Sequence, residues 1–328
     1  MPSPPYEIRP FRDGDEDAVL ALHARAFAGH PPRTRKHFEW KFRANPLGAL
    51  EMIVAKEGER CLAVYAVVPQ RCLLAGEPCV AGLQTDMAVD PELRGGLGGS
   101  RLILAVGEAY MRQYLGGAKQ LEWGFPEPHL QRVCLAHLKV GVLRDVAFLV
   151  REPAPAPIAA PAGVQVRSVL RYDADLDRLW SRCGPALGTC TVRDACQLDW
   201  RYADHPDVRY TLLEARGGGG ELRGVAVVRS GGLDERLLSL MDWLVPEGDE
   251  ECEAALLAHL CAEAARRGHA YVAAWFPLFF PIALRWQRRF GFFVRPTQLQ
   301  ESYRSWGGAG RRWLDEHWYQ TMGDIDSL

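Results

Sequence analysis

FEWKFRANP, residues 38–46, returns as LDWRYADHP at residues 198–206. The offset is 160, from Trp40 to Trp200 and from Pro46 to Pro206, and it holds without a gap through Ala55 and Ala215 to Ala66-Val67-Val68 and Ala226-Val227-Val228. Further along, Trp123-Gly124-Phe125-Pro126 is echoed by Trp275-Phe276-Pro277, and HLKVGV at 137–142 by QRRFGF at 287–292. So many matches in one order are the mark of an internal duplication. Between the copies PAPAPIAAPAG, starting at Pro153, has no apolar periodicity, and its prolines favour an extended linker. The reading is a domain at 1–152, a linker at 153–163 and a second domain at 164–328.

Within the first copy a strand (YEIRPFR) precedes a helix that Asp13 or Asp15 caps and that ends near Phe27. A second helix carries HFEWKF and stops near Asn45-Pro46, since the residue before a proline is driven out of helical geometry. Three strand-like runs follow, EMIVAK, CLAVYAVV and CVAGLQTDMAV. A glycine-rich turn then opens the helix SRLILAVGEAYMRQYL, and a strand (QLEWGF), a helix (HLQRVCLAHLK) and a closing strand region (VAFLVRE) complete the copy. The second copy repeats that order. The pattern predicts an α/β fold with a mixed (α+β) sheet and helices on both faces, in two tandem copies.

The bulk composition excludes several classes of function. With 39 Lys and Arg against 41 Asp and Glu the chain is near neutral, which argues against a dedicated nucleic-acid or membrane-surface binder. No apolar run approaches the ~20 residues of a membrane span. MPSPPYEIRPFRDGDED lacks the apolar core of a signal peptide, so the cytoplasm is the expected location. The nine cysteines are irregularly spaced with no C-x-x-C pair, which suggests neither a metal site nor a disulfide framework. Cys134 and Cys261 lie in apolar stretches and are expected in the core.

The chemistry is concentrated in MAVDPELRGGLGGSRLIL, residues 87–104. A β-like run ends at Pro91, and Arg94-Gly95-Gly96-Leu97-Gly98-Gly99 leads straight into a helix beginning with Ser100 and Arg101. Glycines let the backbone turn tightly and leave amides uncovered. Those amides and the positive end of the helix dipole make an anion site suited to a pyrophosphate, with Arg94 and Arg101 adding charge. The alternative is a surface turn before a helix.

These residues resemble the signature of the GNAT superfamily of N-acetyltransferases, a strand ending V-x-P followed by R/Q-x-x-G-x-G/A at a helix start. Val89-Asp90-Pro91 and Arg94 to Gly99 match it. With Arg94 in the first position, Leu97 stands where the first motif glycine belongs. A shift by one restores Gly96 and Gly98 and puts Leu93 in the Arg/Gln place. The resemblance implies a tandem GNAT-like protein that uses acetyl-CoA or another acyl-CoA, held by Met87, Ala88 and Val89 of the strand and by Arg94, Gly95, Gly96, Leu97, Gly98, Gly99, Ser100 and Arg101. It implies an N-acyltransferase acting on a small-molecule or peptide amine. In the second copy PEGDEEC, from Pro246, replaces PELRGGLGG, so Glu247, Asp249, Glu250 and Glu251 would repel a pyrophosphate and that copy is expected to be a scaffold.

Direct attack on a thioester requires a neutral amine, donors for the oxyanion and a proton for the leaving thiolate. The resemblance suggests an acid on the strand before the loop as base, which makes Asp86, and more weakly Asp90, the candidates. Asp86 pairs with Asp242 of the second copy, so a structural role is the competing reading. The family's general acid, commonly a tyrosine four residues before a glycine, falls on His137, counted back from Gly141; histidine's pKa near ~6.5 suits the task. Tyr110 and Tyr114 are expected to pack the glycine-loop helix, and the Trp40 and Trp200 boxes, shared by both copies, are expected to be packing. Glu122, Trp123 and Glu127 flank the expected cleft. Asp324 and Asp326 either finish the second copy or meet a cationic substrate. No Cys-His pairing favours a covalent intermediate. Two other readings stay open: a non-catalytic acyl-CoA-binding or scaffold module, and a transferase with a carrier-protein donor.

Overall fold

Both copies of the sequence fold through the same succession of elements, apart from one short extra strand in the second. The first runs β1 (Glu7–Pro10), α1 (Glu16–Ala26), α2 (Arg35–Phe38), β2 (Glu51–Glu57), β3 (Arg60–Leu74), β4 (Glu77–Val89), α3 (Leu97–Tyr114), β5 (Lys119–Gly124), α4 (Pro128–His137) and β6 (Gly141–Arg151). The second runs β7 (Val164–Val169), α5 (Ala174–Leu187), a short β8 (Cys190–Thr191), α6 (Ala195–Leu198), β9 (Thr211–Gly217), β10 (Leu222–Ser230), β11 (Leu237–Leu244), α7 (Glu250–Arg267), β12 (Tyr271–Ala274), α8 (Pro281–Phe290) and β13 (Phe293–Ser305), followed by α9 (Arg311–His317). The computed structural model describes residues 6–94, 97–115, 119–153, 158–232, 234–306 and 308–326. The expected tandem α/β fold is the one adopted.

The repeated boxes show why the offset of 160 is so strict. Thr34 caps α2 by accepting from the His37 amide (3.1 Å), and Asp194 caps α6 by accepting from the Gln197 amide (2.9 Å). Each short helix widens into a π-helical turn, Glu39–Arg43 and Asp199–Ala203. The widened turn buries three consecutive side chains in each copy: Trp40, Lys41 and Phe42, and Trp200, Arg201 and Tyr202. The boxes are packing, as expected.

The chain forms two compact units that differ from its linear order. Unit one comprises Met1–Arg71, Cys79–Val142 and Glu301–Ala309; unit two comprises Cys72–Pro78, Leu143–Gln300 and Gly310–Leu328. The sequence boundaries at 152 and 164 follow the chain, whereas each unit takes a strand from the other copy. In unit one the order is β1-β2-β3-β4-β5, and then the end of β13. Ser302 to Ser305 run antiparallel to β5, from Gly124 back to Leu121. In unit two the remainder of β13 is followed by β6-β12-β11-β10-β9-β7. The run VAFLVRE belongs to β6, whose Leu149 and Val150 pair with Ala274 and Ala273 of β12. β4 pairs with β5 and β11 with β12 in parallel, whereas β12 with β6 and β13 with β5 are antiparallel, so the sheets are mixed as expected.

Apolar residues of α3 at helical spacing, Leu102, Ile103, Val106 and Tyr110, pack on Ile53, Ala55, Tyr65 and Val67 of β2 and β3 and on Cys134 and Leu138. In unit two Leu256, Leu257, Leu260 and Cys261 of α7 do the same against Trp243, Phe276 and Trp286. Cys134 and Cys261 are core residues. No described helix is long and apolar enough to cross a membrane.

Candidate functional site

β4 and β5 run side by side from Val80 and Lys119 to Leu83 and Trp123. β5 then ends at Gly124 and the chain leaves through Phe125-Pro126 to α4, while β4 continues to Val89. The strands part, and a cleft of about 440 Å³ opens, within the usual range for small-molecule sites. Met87, Ala88 and Val89 of β4 line it, with Ala26 to His30 after α1, Arg94, Gly99 and Ile103 at the start of α3, and Glu127, Leu130 and Val133 at α4. Three segments expected at the cofactor site therefore meet at one cavity: the strand end, the arginine and the helix start.

The turn before α3 is held by buried charge. Asp90 has no exposed surface and accepts from Arg25 and Arg60, each at 2.9 Å, and from the Glu92 amide. Burial raises its carboxyl pKa, but the hydrogen bonds from Arg60, Glu92 and Arg25 outweigh burial and leave it lowered, and in this structure Asp90 clamps the turn. Arg94 donates to Val89 O (3.1 Å) and Ala26 O (3.0 Å), tying the strand end to the loop after α1. A Cβ at Gly99 would stand 2.5 Å from Leu93 O, which explains a glycine there by close approach of the backbone. Leu97, Gly98, Ser100 and Arg101 lie in the first turn of α3, which contains no acidic residue. Gly95 and Gly96 lie outside the described residues.

Asp86 is the one β4 residue with a left-handed backbone, φ +50°. That kink breaks the two-residue alternation of the strand. Thr85 and Asp86 consecutively meet Lys41, at 2.6 and 3.1 Å, while Met87 and Val89 pack with the α3 core. Arg33 closes the cluster at 2.7 Å, and His23 Nε2 lies 3.3 Å from the Asp86 carbonyl oxygen. Burial raises the Asp86 carboxyl pKa, but Arg33 and Lys41 outweigh it and hold the group well below the usual carboxylate range. An anion so stabilised has little affinity for a proton. The second copy contains the same pair, Arg193 to Asp242 at 2.7 Å, at the repeat offset from Arg33. The duplication thus marks Arg33 in the sequence as clearly as it marks Trp40.

Other expectations fare differently. His137 is exposed on the last turn of α4 and is not among the residues lining the cleft. Glu127 lines the cleft as expected, but Glu122 and Trp123 are buried. Glu122 accepts from Tyr110 (2.7 Å) and Gln84 (3.2 Å) and pairs with Arg304 (3.1 Å), and Lys119 bridges Glu51 and Tyr110. Burial first, then Glu122 and Glu51, push the Tyr110 hydroxyl far above the ordinary phenol range, so it packs α3 and stays protonated. Asp324 is buried against Arg193 (2.7 Å) and caps a turn through the Thr321 amide, which makes it part of the second unit's framework.

Unit two keeps a counterpart of the cleft, about 360 Å³, lined by Trp243, Leu244, Val245, Glu247, Phe280 and Arg285 among others. The helix start there differs. Asp249 caps α7 by accepting from the Cys252 amide (3.1 Å) and from Arg223, and Glu250, Glu251 and Glu253 fill the first turn. The protein's own carboxylates crowd the start of α7, whereas the first turn of α3 holds no acidic residue.

Residues 7–116 match the family model described as an acetyltransferase (GNAT) domain. No curated protein sequence matches the chain. Among solved structures, a probable N-acyltransferase from Enterococcus faecalis V583 shares 13% identity at a TM-score of 0.66, over 93% of this chain and 73% of that one. A GCN5-related N-acetyltransferase from Kribbella flavida shares 15% at 0.64, over 93% and 72%. A tandem GNAT protein from the clavulanic acid biosynthesis pathway shares 14% at 0.60, over 92% and 98%. At these identities the likeness is one of fold.

Proposed function

From the acetyltransferase (GNAT) domain matched over residues 7–116, we propose that the chain is a GNAT-type acyltransferase that moves an acyl group, acetyl in the simplest case, from coenzyme A to an amine by direct attack. The observation that carries this reading is the meeting of the β4 end, Arg94 and the acid-free first turn of α3 at one cleft.

The residues present fit such a donor. Met87, Val89, Ile103, Leu130 and Val133 offer an apolar channel for the pantetheine arm, and Arg94 and the α3 amides offer a place for phosphates. Coenzyme A supplies the activated thioester. The chain's own part is to bind, orient and exclude water. Among the lining residues His30, Arg94 and Glu127 carry titratable groups, and Glu127 is the carboxylate available to meet a cationic amine. No cysteine lines the cleft among the described residues, and burial pushes the Cys134 thiol up to about 11, which disfavours a covalent acyl-enzyme. Asp86 is better suited to shaping β4 than to taking a proton, and His137 contributes to proton transfer only if substrate reaches the last turn of α4.

Calorimetry with acetyl-CoA tests the reading. Binding at one site per chain, abolished in Arg94→Glu and Gly98→Glu proteins that keep the wild-type thermal midpoint, is the expected result. Two sites per chain would mean that the second cleft also takes the donor. An absence of binding by acetyl-CoA and longer acyl-CoAs would turn the reading toward a carrier-protein donor.

A further inference from the structure

The duplication separates what the fold requires from what one copy alone retains. The pairs Arg33–Asp86 and Arg193–Asp242 occur in both. So does an irregularity on the strand: in β11 the register slips between Val227 and Val228, with Met241 as the extra residue beside Asp242. Among the described residues of the second copy, however, no residue other than glycine has a left-handed backbone. The bulge can therefore be built without one, yet β4 places a β-carbon-bearing aspartate at φ +50°, a conformation sterically costly for such residues.

A histidine accompanies the strained residue. His23 on α1 is 3% exposed, with Nε2 3.3 Å from Asp86 O and Nδ1 buried without a hydrogen-bond partner. Since a carbonyl only accepts, Nε2 carries the proton. The corresponding helix α5, ADLDRLWSRCGPAL, has no histidine. Burial lowers the His23 pKa and keeps the ring neutral.

The direction of the neighbouring amide follows from two independent observations. In a trans peptide the carbonyl and the next N–H point opposite ways, so the Met87 amide faces away from His23. The Asp90 amide donates to Leu62 O on β3 (2.8 Å). Strand alternation then turns the amides of Met87 and Val89 to the other side, which β5 vacates and where both residues line the cleft.

We propose that His23 is a positioning residue: by holding the Asp86 carbonyl it fixes the left-handed Asp86–Met87 peptide, so that the Met87 amide is presented to the carbonyl oxygen of a thioester in the cleft. This rests on the acyltransferase reading above. It is tested with His23→Ala and His23→Gln, following the Met87 amide resonance in methionine-labelled protein with and without acetyl-CoA, together with the thermal midpoint, the acetyl-CoA Kd and kcat on an accepted amine. In the wild type acetyl-CoA shifts the Met87 amide. In His23→Ala that shift is largely lost and kcat falls by about a hundredfold, while Kd changes by no more than about twofold, because the contact matters most as charge develops. His23→Gln, which keeps an N–H donor, recovers most of both. If the alanine variant fails to fold, the glutamine variant decides alone, and loss of shift and kcat in a folded His23→Gln overturns the inference. Binding of acetyl-CoA without any response at Met87, or a folded His23→Ala with unchanged shift and kcat, overturns the inference and leaves the acyltransferase reading standing. Failure of the wild type to bind acetyl-CoA or any longer acyl-CoA overturns both this inference and the coenzyme A reading on which it rests.

Discussion

A carboxylate between two buried cations responds to pH in one direction. Asp86 titrates near ~3.9 in the unfolded chain and lower when folded between Arg33 and Lys41. Its contribution to stability is thus complete above about pH 4 and disappears only as strong acid takes the pH through the folded value. Asp86→Asn takes a buried carboxylate away from the buried Lys41 and the half-buried Arg33 and is expected to cost about 3–5 kcal/mol at neutral pH, read by urea unfolding. A cost below about 1 kcal/mol would mean that both cations find solvent in the variant. The difference between the two proteins should also narrow in strong acid. Which residues do chemistry was the least legible feature of the sequence, and Asp86 shows why. Its position before the glycine loop identified it, but the cations that suppress its basicity come from residues 33 and 41, brought close only by the fold. His137 stands off the cleft for a local reason: Cys134 on α4 and Leu138 just after it are buried, and residue 137 faces solvent.

The contrast between α3 and α7 was legible, because glycine, arginine and acidic residues carry their meaning in their type. The Gly99 backbone fits against Leu93 O with no room for a methyl group, so Gly99→Ala should lose about 1–3 kcal/mol of stability in thermal unfolding. It should also weaken acetyl-CoA binding by displacing the first turn of α3. At α7, Asp249→Ala removes a cap and should cost about 1 kcal/mol. It should not confer coenzyme A binding, since Glu250, Glu251 and Glu253 remain; a new site in calorimetry would show that the cap alone excludes the donor. Strands and helices were readable from period and turn residues, whereas the burial of Glu122 was not. Both faces of β5 are covered, so Glu122 and Trp123 are buried although they point to opposite sides, and no alternating pattern signals that in the sequence.

The repeat predicted two copies, but a repeat cannot reveal which strand closes which unit. The sheet of unit one ends with Ser302–Ser305 on β5, and Arg304 supplies the charge that faces Glu122 and Tyr65. A fragment of residues 1–152 therefore lacks both a strand and one of the cations that face a buried carboxylate. It should show no cooperative unfolding transition; a folded, cooperative fragment would show that unit one is complete without its borrowed strand. Protein synthesis meets the same constraint in time. Ala309 follows Val142 by 167 residues, which at ~5–20 residues per second keeps the first copy waiting roughly ten to thirty seconds for its last strand. Over that interval the edge of β5 is an open template for any other nascent chain. The translation rate of the second copy thus becomes a determinant of how much of the first escapes aggregation.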